Sequence, residues 1–221
     1  MAAGLYGGWR IANSRSFQLV GTIVDRVATD APMVALTFDD GPTPRGTDSI
    51  LAILEREGVH ATFFFTGAEL AAHPDLGARF VAAGHEIGNH SYSHRRMLLR
   101  SPRFIRTEVE RTDSLIRASG YSGPIHFRPP YGKKLLGLSW YLWRTGRTTV
   151  MCDVEPESDP EIAQSAERII EHVAREVRPG SIVLLHVMYP SRRESLRAVE
   201  GVIRRLKREG YRFVTVSRLM G

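Results

Sequence analysis

Seven short runs rich in β-branched and aromatic residues recur from Pro32 to the end of the chain, with a helix-like segment between each and the next. The runs are Met33–Phe38, His60–Thr66, His85–Gly88, Ile125–Phe127, Thr148–Met151, Ser181–Leu185 and Arg212–Val216. The segments between them, at about 46–57, 68–83, 102–119, 133–145, 160–178 and 192–208, read as helices. In the fifth, Asp159 reads as an N-cap and Pro160 as the first helical residue. Ile162, Ala166, Ile169, Ile170 and Val173 then recur at spacings of three and four, until Arg178-Pro179-Gly180 stops the pattern. Strands that alternate with helices pair in parallel, because each crossover returns the chain to the same end of the sheet. The expectation is an α/β fold, a distorted (β/α) barrel of about seven parallel strands.

The chain has 221 residues, 43% of them hydrophobic, enough for a full core in one domain. No run approaches the ~18 apolar residues of a membrane span. The lone cysteine, Cys152, excludes an intramolecular disulfide framework and a Cys-rich zinc module. Residues 32–221 are expected to form the domain. Residues 1–31 read as an N-terminal segment or linker, such as remains when an export or anchor segment is removed. They lack the charged n-region and apolar h-region of a secretory signal. Lys and Arg number 30 against 24 Asp and Glu, giving a formal charge of +6, and all but Lys133, Lys134 and Lys207 of the cations are arginine. They are scattered and not interleaved with aromatics, which argues against nucleic acid and fits an anionic wall or polysaccharide better.

Residues able to do chemistry cluster where the runs end, and in a (β/α) barrel the loops at the C-terminal ends of the strands form one rim. Asp39 and Asp40 follow the first run, His90 and His94 the third, and Arg128 the fourth. Asp153 and Glu155 follow the fifth, and His186 the sixth. Adjacent carboxylates at a strand end point to opposite faces, so Asp39 and Asp40 are expected to have different jobs, one on a metal and one facing substrate. Read alone, DDGP is equally well a capped turn. His90 and His94 lie four apart, a spacing that suits capture of zinc, and a carboxylate from another strand would complete a three-ligand site open to water. With eight histidines in the chain such a pair also arises by chance. Two prolines stiffen the exit at Arg128, so that the Tyr131 backbone N–H is available to an oxyanion. A histidine ending a buried run, as His186 does, is commonly structural, but here it shares the rim with the other groups.

Taken in order, these segments resemble the polysaccharide deacetylases of carbohydrate esterase family 4, the NodB-homology domain. The resemblance covers residues 32 to 219. It rests on TFDDGP at Thr37–Pro42, ATFFFTG at Ala61–Gly67 and GHEIGNH at Gly84–His90. It rests also on His-Ser-x-x-His at His90–His94, Arg-Pro-Pro-Tyr at Arg128–Tyr131 and Leu-x-His at Leu184–His186. The resemblance implies that Asp40, His90 and His94 bind one divalent metal, zinc first, with Co2+, Ni2+ or Mn2+ as alternatives. It implies Asp39 as general base, Arg128 as its holder and His186 as the acid that protonates the leaving amine. The Tyr131 N–H would meet the oxyanion, and Leu184 would line the acetyl-methyl pocket. The implied activity is N-deacetylation of N-acetylated sugars in peptidoglycan or chitin-like oligosaccharides, by a monomer acting outside the cytoplasm or at the cell envelope. The family's Asp-x-x-Asp-Trp segment is altered here to Cys152-Asp153-Val154-Glu155-Pro156-Glu157 and lacks the tryptophan. Asp153 is taken as the partner of Arg128 or His186, with Glu155 second. The altered segment keeps O-acetyl esters or a small non-sugar amide open as substrates, and a catalytically silent carbohydrate-binding homologue is the third reading.

Overall fold

The computed structural model describes residues 2–221. Helix α1 (Ala2–Asn13) and the two-residue strand β1 (Ile23–Val24) precede the central strand β2 (Met33–Asp39). Next come α2 (Pro44–Glu57), β3 (Thr62–Phe65), α3 (Gly67–Ala72), α4 (Pro74–Ala82), β4 (Glu86–Asn89) and α5 (Pro102–Ala118). The second half carries α6 (Leu136–Arg144), β5 (Thr149–Val150), α7 (Ala166–Glu176) and β6 (Ile182–His186), then α8 (Arg193–Arg208), β7 (Arg212–Val214) and α9 (Val216–Met220).

Strand β2 pairs in parallel with β3, β6 and β7, and β3 pairs with β4. Single bridges from Asn89 to Phe127 and from Phe127 to Thr149 carry the sheet on to β5, and a bridge from Val154 to Val183 returns it to β6. The result is a distorted parallel (β/α) barrel, as the alternation predicts. Its fourth wall is thin. The run at 125–127 is reduced to one bridged residue, because Pro129 and Pro130 follow at once and have no N–H to extend a ladder.

Two helices depart from expectation. The segment 68–83 is two helices, broken at His73, whose φ of −137° and ψ of 69° lie outside the helical region that the following proline disfavours. The helix expected from Pro160 begins at Ala166, with Ser165 as N-cap accepting from the Arg168 N–H. Asp159 instead accepts from the Glu161 N–H at 2.8 Å, a local turn that competes with helix nucleation. Of residues 1–31, read as an N-terminal segment or linker, Ala12 and β1 are docked on the barrel. Strand β1 pairs with β5, and the Ala12 carbonyl accepts from the Lys134 N–H at 3.3 Å.

Alternation along the strands sorts side chains into two layers. Val34, Leu36 and Phe38 of β2, Phe63 and Phe65 of β3, and Val183 and Leu185 of β6 point outward into the main core beneath the helices. Ala35, Phe64, Ile182 and Leu184 point into the barrel, with Val216 and Leu219 of α9 among them. On β2 the inward series then continues through Thr37 to Asp39, and on β6 through Leu184 to His186. Gly88 of β4 leaves room inside, since a Cβ there would lie 2.4 Å from the Phe64 ring. Period two thus delivers polar side chains to one end of an apolar interior.

Candidate active site

A cleft of ≈ 610 Å³ opens at the C-terminal ends of the strands. Asp39, Asp40, His90, His94, Arg128, Tyr131, Leu184 and His186 all line it, each drawn from a different strand exit or a neighbouring loop position.

Arg128 is the floor. It is 3% exposed, its guanidinium lies 4.1 Å over the centre of the Phe64 ring, and its donors are almost fully used. Nη1 donates to Asp39 Oδ1 at 2.7 Å and to Thr37 Oγ1 at 2.8 Å, Nη2 to the Met151 carbonyl at 2.9 Å, and Nε to the Val150 carbonyl at 3.3 Å. A guanidinium held on all sides has one orientation, and it fixes Asp39 with it. Burial works to raise the Asp39 pKa, but the Arg128 guanidinium, helped by the His90 and His186 rings, overrides it and holds the carboxyl below its ordinary value. Asp39 is therefore ionised at neutral pH.

Asp40 leaves the strand with φ 71°, and Ser91, His94 and Tyr131 are also left-handed, at 65°, 53° and 58°. Four of the five non-glycine residues with positive φ among the described residues thus surround the cleft, where such backbone cost is retained only if neighbours over-determine it. They do. Asn89 Oδ1 accepts from the Ser91 N–H at 2.8 Å, and the Asn89 amide donates to Asp113 Oδ1 at 2.6 Å. Glu108 of α5 accepts from the Tyr92 and Ser93 N–H groups at 3.1 and 2.8 Å. Glu69 of α3 accepts from the Gly41 N–H at 2.6 Å and from Thr66 Oγ1 at 2.8 Å. Gly41 itself has φ 80°, and a Cβ there would lie 2.6 Å from the Met188 side chain.

These anchors bring Asp40, His90 and His94 together, with one donor atom from each all within 4.8 Å of one another. His90 Nδ1 lies 2.7 Å from the Arg128 carbonyl, which only accepts, so Nδ1 carries a proton and Nε2 is the nitrogen left to face a metal. His94 Nε2 and Asp40 Oδ1 are 3.5 Å apart, close to the ~3.3 Å that tetrahedral zinc bonds of about 2.0–2.1 Å require. Burial and then the neighbouring His90 ring pull the His94 pKa below its ordinary value, which keeps that ring neutral. One carboxylate and two imidazoles with an open side fit a single divalent cation.

His186 stands across from Asp39, its Cα partner in the β2–β6 register. Its Nδ1 donates to Glu157 Oε2 at 2.6 Å, and its backbone N–H to the same oxygen at 2.8 Å. Burial alone would lower the His186 pKa, but the Glu157 carboxylate, with Asp39 and Asp40 behind it, raises it to about 9. At neutral pH the ring is protonated, with Nε2 its remaining donor.

The partner expected for Arg128 or His186 is not where the sequence reading put it. Asp153 turns away from the cleft, where it accepts from Ser181 Oγ and from the Ile182 N–H, both at 2.8 Å. Arg178 is its nearest cation, at 3.9 Å. The bridge between Val154 and Val183 aligns that stretch with β6, so Asp153 meets the start of β6, far from His186 at its end. Glu155, the second choice, pairs with Arg15. Glu157 does the work instead, lifted over the end of β6 by a 3₁₀ turn at Pro156–Ser158 and held by Ser195 of α8. Arg15 was also missed. It enters the cleft wall from the N-terminal segment, where its guanidinium lies 3.7 Å from Cys152 Sγ. Burial pushes that thiol up to about 12, so it is inert.

A model of the polysaccharide deacetylase family matches residues 26–150. The chain belongs to the polysaccharide deacetylase family. It is 34% identical over 197 residues to the peptidoglycan-N-acetylmuramic acid deacetylase PdaC of Bacillus subtilis, covering 88% of this chain and 40% of that longer one. It is 35% identical over 190 residues to a chitooligosaccharide deacetylase of a Bradyrhizobium strain, covering 80% of this chain and 86% of the relative. A solved peptidoglycan N-acetylglucosamine deacetylase superposes with a TM-score of 0.82 at 32% identity, over 88% of this chain and 91% of the other. A Bacillus anthracis neighbour with a TM-score of 0.81 and 27% identity, matched over 91% of this chain and 69% of its own, is described as a pseudoenzyme of carbohydrate esterase family 4. Among the described residues no helix is long and apolar enough to cross a membrane.

Proposed function

We propose that this chain is a metal-dependent N-deacetylase acting on N-acetylated sugars of peptidoglycan or chitin-like oligosaccharides, as a monomer at the cell envelope. The observation that carries the reading is the Asp39–His186 pair. An ionised carboxylate and a protonated imidazole sit on adjacent strands in register, with the three candidate metal ligands beside them.

Asp40, His90 and His94 would hold a divalent cation, zinc before cobalt, nickel or manganese, whose contribution would be Lewis-acid polarisation of the acetyl carbonyl and a more acidic water. Everything else falls to the chain. Asp39, oriented by Arg128, takes a proton from the attacking water. Amide nitrogen is a poor leaving group unless protonated, and His186 Nε2–H supplies that proton, a contribution of about 10²–10⁴-fold. Glu157 keeps the proton on the ring until it is needed. The Gly132 and Lys133 N–H groups close their turn onto the Pro129 and Pro130 carbonyls, leaving the Tyr131 N–H outside that pair as a donor for the developing oxyanion. Leu184, buried at the cleft wall, receives the acetyl methyl group.

The test is acetate release by chelator-treated protein, with and without added divalent metal, on N-acetylglucosamine oligomers and on peptidoglycan. An O-acetylated sugar ester runs alongside. Metal-restored release from the amides supports the reading. Release from the ester alone moves the substrate to esters. No release from any substrate with any metal puts this chain with the silent homologues, although it retains all of Asp39, Asp40, His90, His94 and His186.

A further inference from the structure

Two stretches of chain, 6–24 and 129–152, meet on one face beside the cleft, and their composition is unlike the rest of the molecule. Together they carry six Lys and Arg and not one Asp or Glu, whereas the remainder holds 24 of each sign. They also hold all three tryptophans, Trp9, Trp140 and Trp143. The stretches are joined by the β1–β5 pairing and by the Lys134 N–H to the Ala12 carbonyl. Gly21 approaches α6 so closely that a Cβ there would lie 2.9 Å from Trp143 Cβ.

The apolar groups on this face are turned outward. Leu136, Trp140 and Trp143 recur at i, i+4 and i+7, one stripe of α6, and with Trp9 and Phe17 they are 48–61% exposed. A core-facing helix hides such a stripe, and large exposed apolar patches mark interaction surfaces. Of the six cations, Arg15 and Arg147 are paired with Glu155 and Asp113, and Lys134 is buried. Arg10, Lys133 and Arg144 have no carboxylate partner among the described residues. Arg144 instead lies 5.7 Å over the Trp140 ring.

We propose that this face docks the protein peripherally on an anionic lipid bilayer. Tryptophans settle at the headgroup level, flanking aliphatic side chains enter the acyl boundary, and unpaired arginine and lysine meet the lipid phosphates. A saccharide surface would need carboxylates or amides interleaved with the rings to bond sugar hydroxyls; these stretches contain no carboxylate, and their two amides are taken, Asn13 by the Trp9 carbonyl and Lys133, and Gln18, buried, by the Thr22 carbonyl. A second copy of the same face would bring like charges together. Asn13 and Lys133 belong both to the seam of this face and to the wall of the cleft, so docking holds the cleft at the membrane surface.

Because every tryptophan lies in these two stretches, intrinsic fluorescence reports on them alone. The full chain is titrated with vesicles of phosphatidylcholine alone, and with vesicles containing phosphatidylglycerol, with co-sedimentation measured in parallel. The expected result is a blue shift and partition on the anionic vesicles, weak partition on the neutral ones, and loss of binding in high salt. The double variant R10Q/R144Q should weaken partition about 25-fold, from about 5-fold per charge removed. The double variant W140S/W143S should weaken it further while leaving the melting temperature and acetate release from soluble oligosaccharides unchanged. Absence of partition on anionic vesicles overturns the proposal, as does binding that ignores salt or survives W140S/W143S. A blue shift with an anionic polysaccharide and none with vesicles overturns it too, as does a dimer that W140S/W143S dissolves. Vesicle binding needs no turnover, so its outcome is independent of the deacetylase reading.

Discussion

Each end of the barrel brings together a histidine, a glutamate and a serine. At the C-terminal end these are His186, Glu157 and Ser195, and at the other end His126, Glu86 and Ser217. In the first set the imidazole touches the carboxylate directly, at 2.6 Å. In the second the serine stands between them. His126 Nε2 donates to Ser217 Oγ at 2.9 Å, Ser217 Oγ donates to Glu86 Oε1 at 2.6 Å, and the imidazole is 3.6 Å from the carboxylate. Burial then dominates, and the His126 pKa falls below its ordinary value, while that of His186 rises to about 9. Glu86 is closed off further by Thr62 Oγ1 and the Ser217 N–H, each at 3.0 Å, and so ties α9 to β3 and β4. The same three residue types therefore make a charged proton donor beside a cleft at one end and a neutral, satisfied latch at the other. Contact geometry decides which, and the division matches the general separation of chemistry and stability between the two ends of such barrels.

The sharpest way to break this comparison is to remove each histidine. His186→Ala should cut kcat by about 10³, within the range of a lost general acid, and should also lower the melting temperature, since it strips buried Glu157 of its charged partner. His126→Ala should leave kcat intact. Equal losses in the two variants, measured as acetate release per folded molecule, would erase the distinction between the ends.

A smaller effect tests the carboxylate contact. Glu157→Gln keeps the shape but removes the charge that holds the proton on His186, so the His186 pKa should drop toward its ordinary value. Activity needs that ring protonated and is lost as pH rises through the pKa. The alkaline limb of the pH–rate profile should therefore move down from about pH 9, giving about a tenfold loss at pH 8 with a modest one at pH 6. An unmoved limb assigns the titration to another group.

The smallest effect lies at the other end. Three donors are divided between the two Glu86 oxygens, so Glu86→Gln sets an NH₂ against at least one of them, which should cost about 1–3 kcal/mol. At about 2–4 °C per kcal/mol for a domain of this size, thermal denaturation should show a fall of several degrees. The pH–rate profile should not move.

Much of this was legible without coordinates. Alternating runs specify parallel strands because a helix crossover permits nothing else at that spacing, and the inward period of two carries Asp39 and His186 to the same rim. Asp39, Asp40, His90, His94, Arg128, Tyr131, Leu184 and His186 are local to strand exits, so their position followed from the strands. Asp153 failed as a partner for the opposite reason. It lies in a stretch where one residue of register decides which end of β6 it meets, and neither composition nor spacing encodes that register. The signal for Glu157 was faint: a proline before it, marking the 3₁₀ turn that lifts it. The N-terminal segment had no periodicity to betray β1, whose two residues form a strand only because β5 is there to pair with.

The sequence by itself determined the fold class, the rim and the identity of most chemical groups on it, since these depend on local spacing. Only the tertiary structure decided that Glu157 holds His186 and Arg15 joins the cleft wall. It alone decided that the cationic and aromatic stretches form one face. Each of those contacts joins segments far apart in the chain, and their energies depend on distance and burial, which exist only once the barrel has closed.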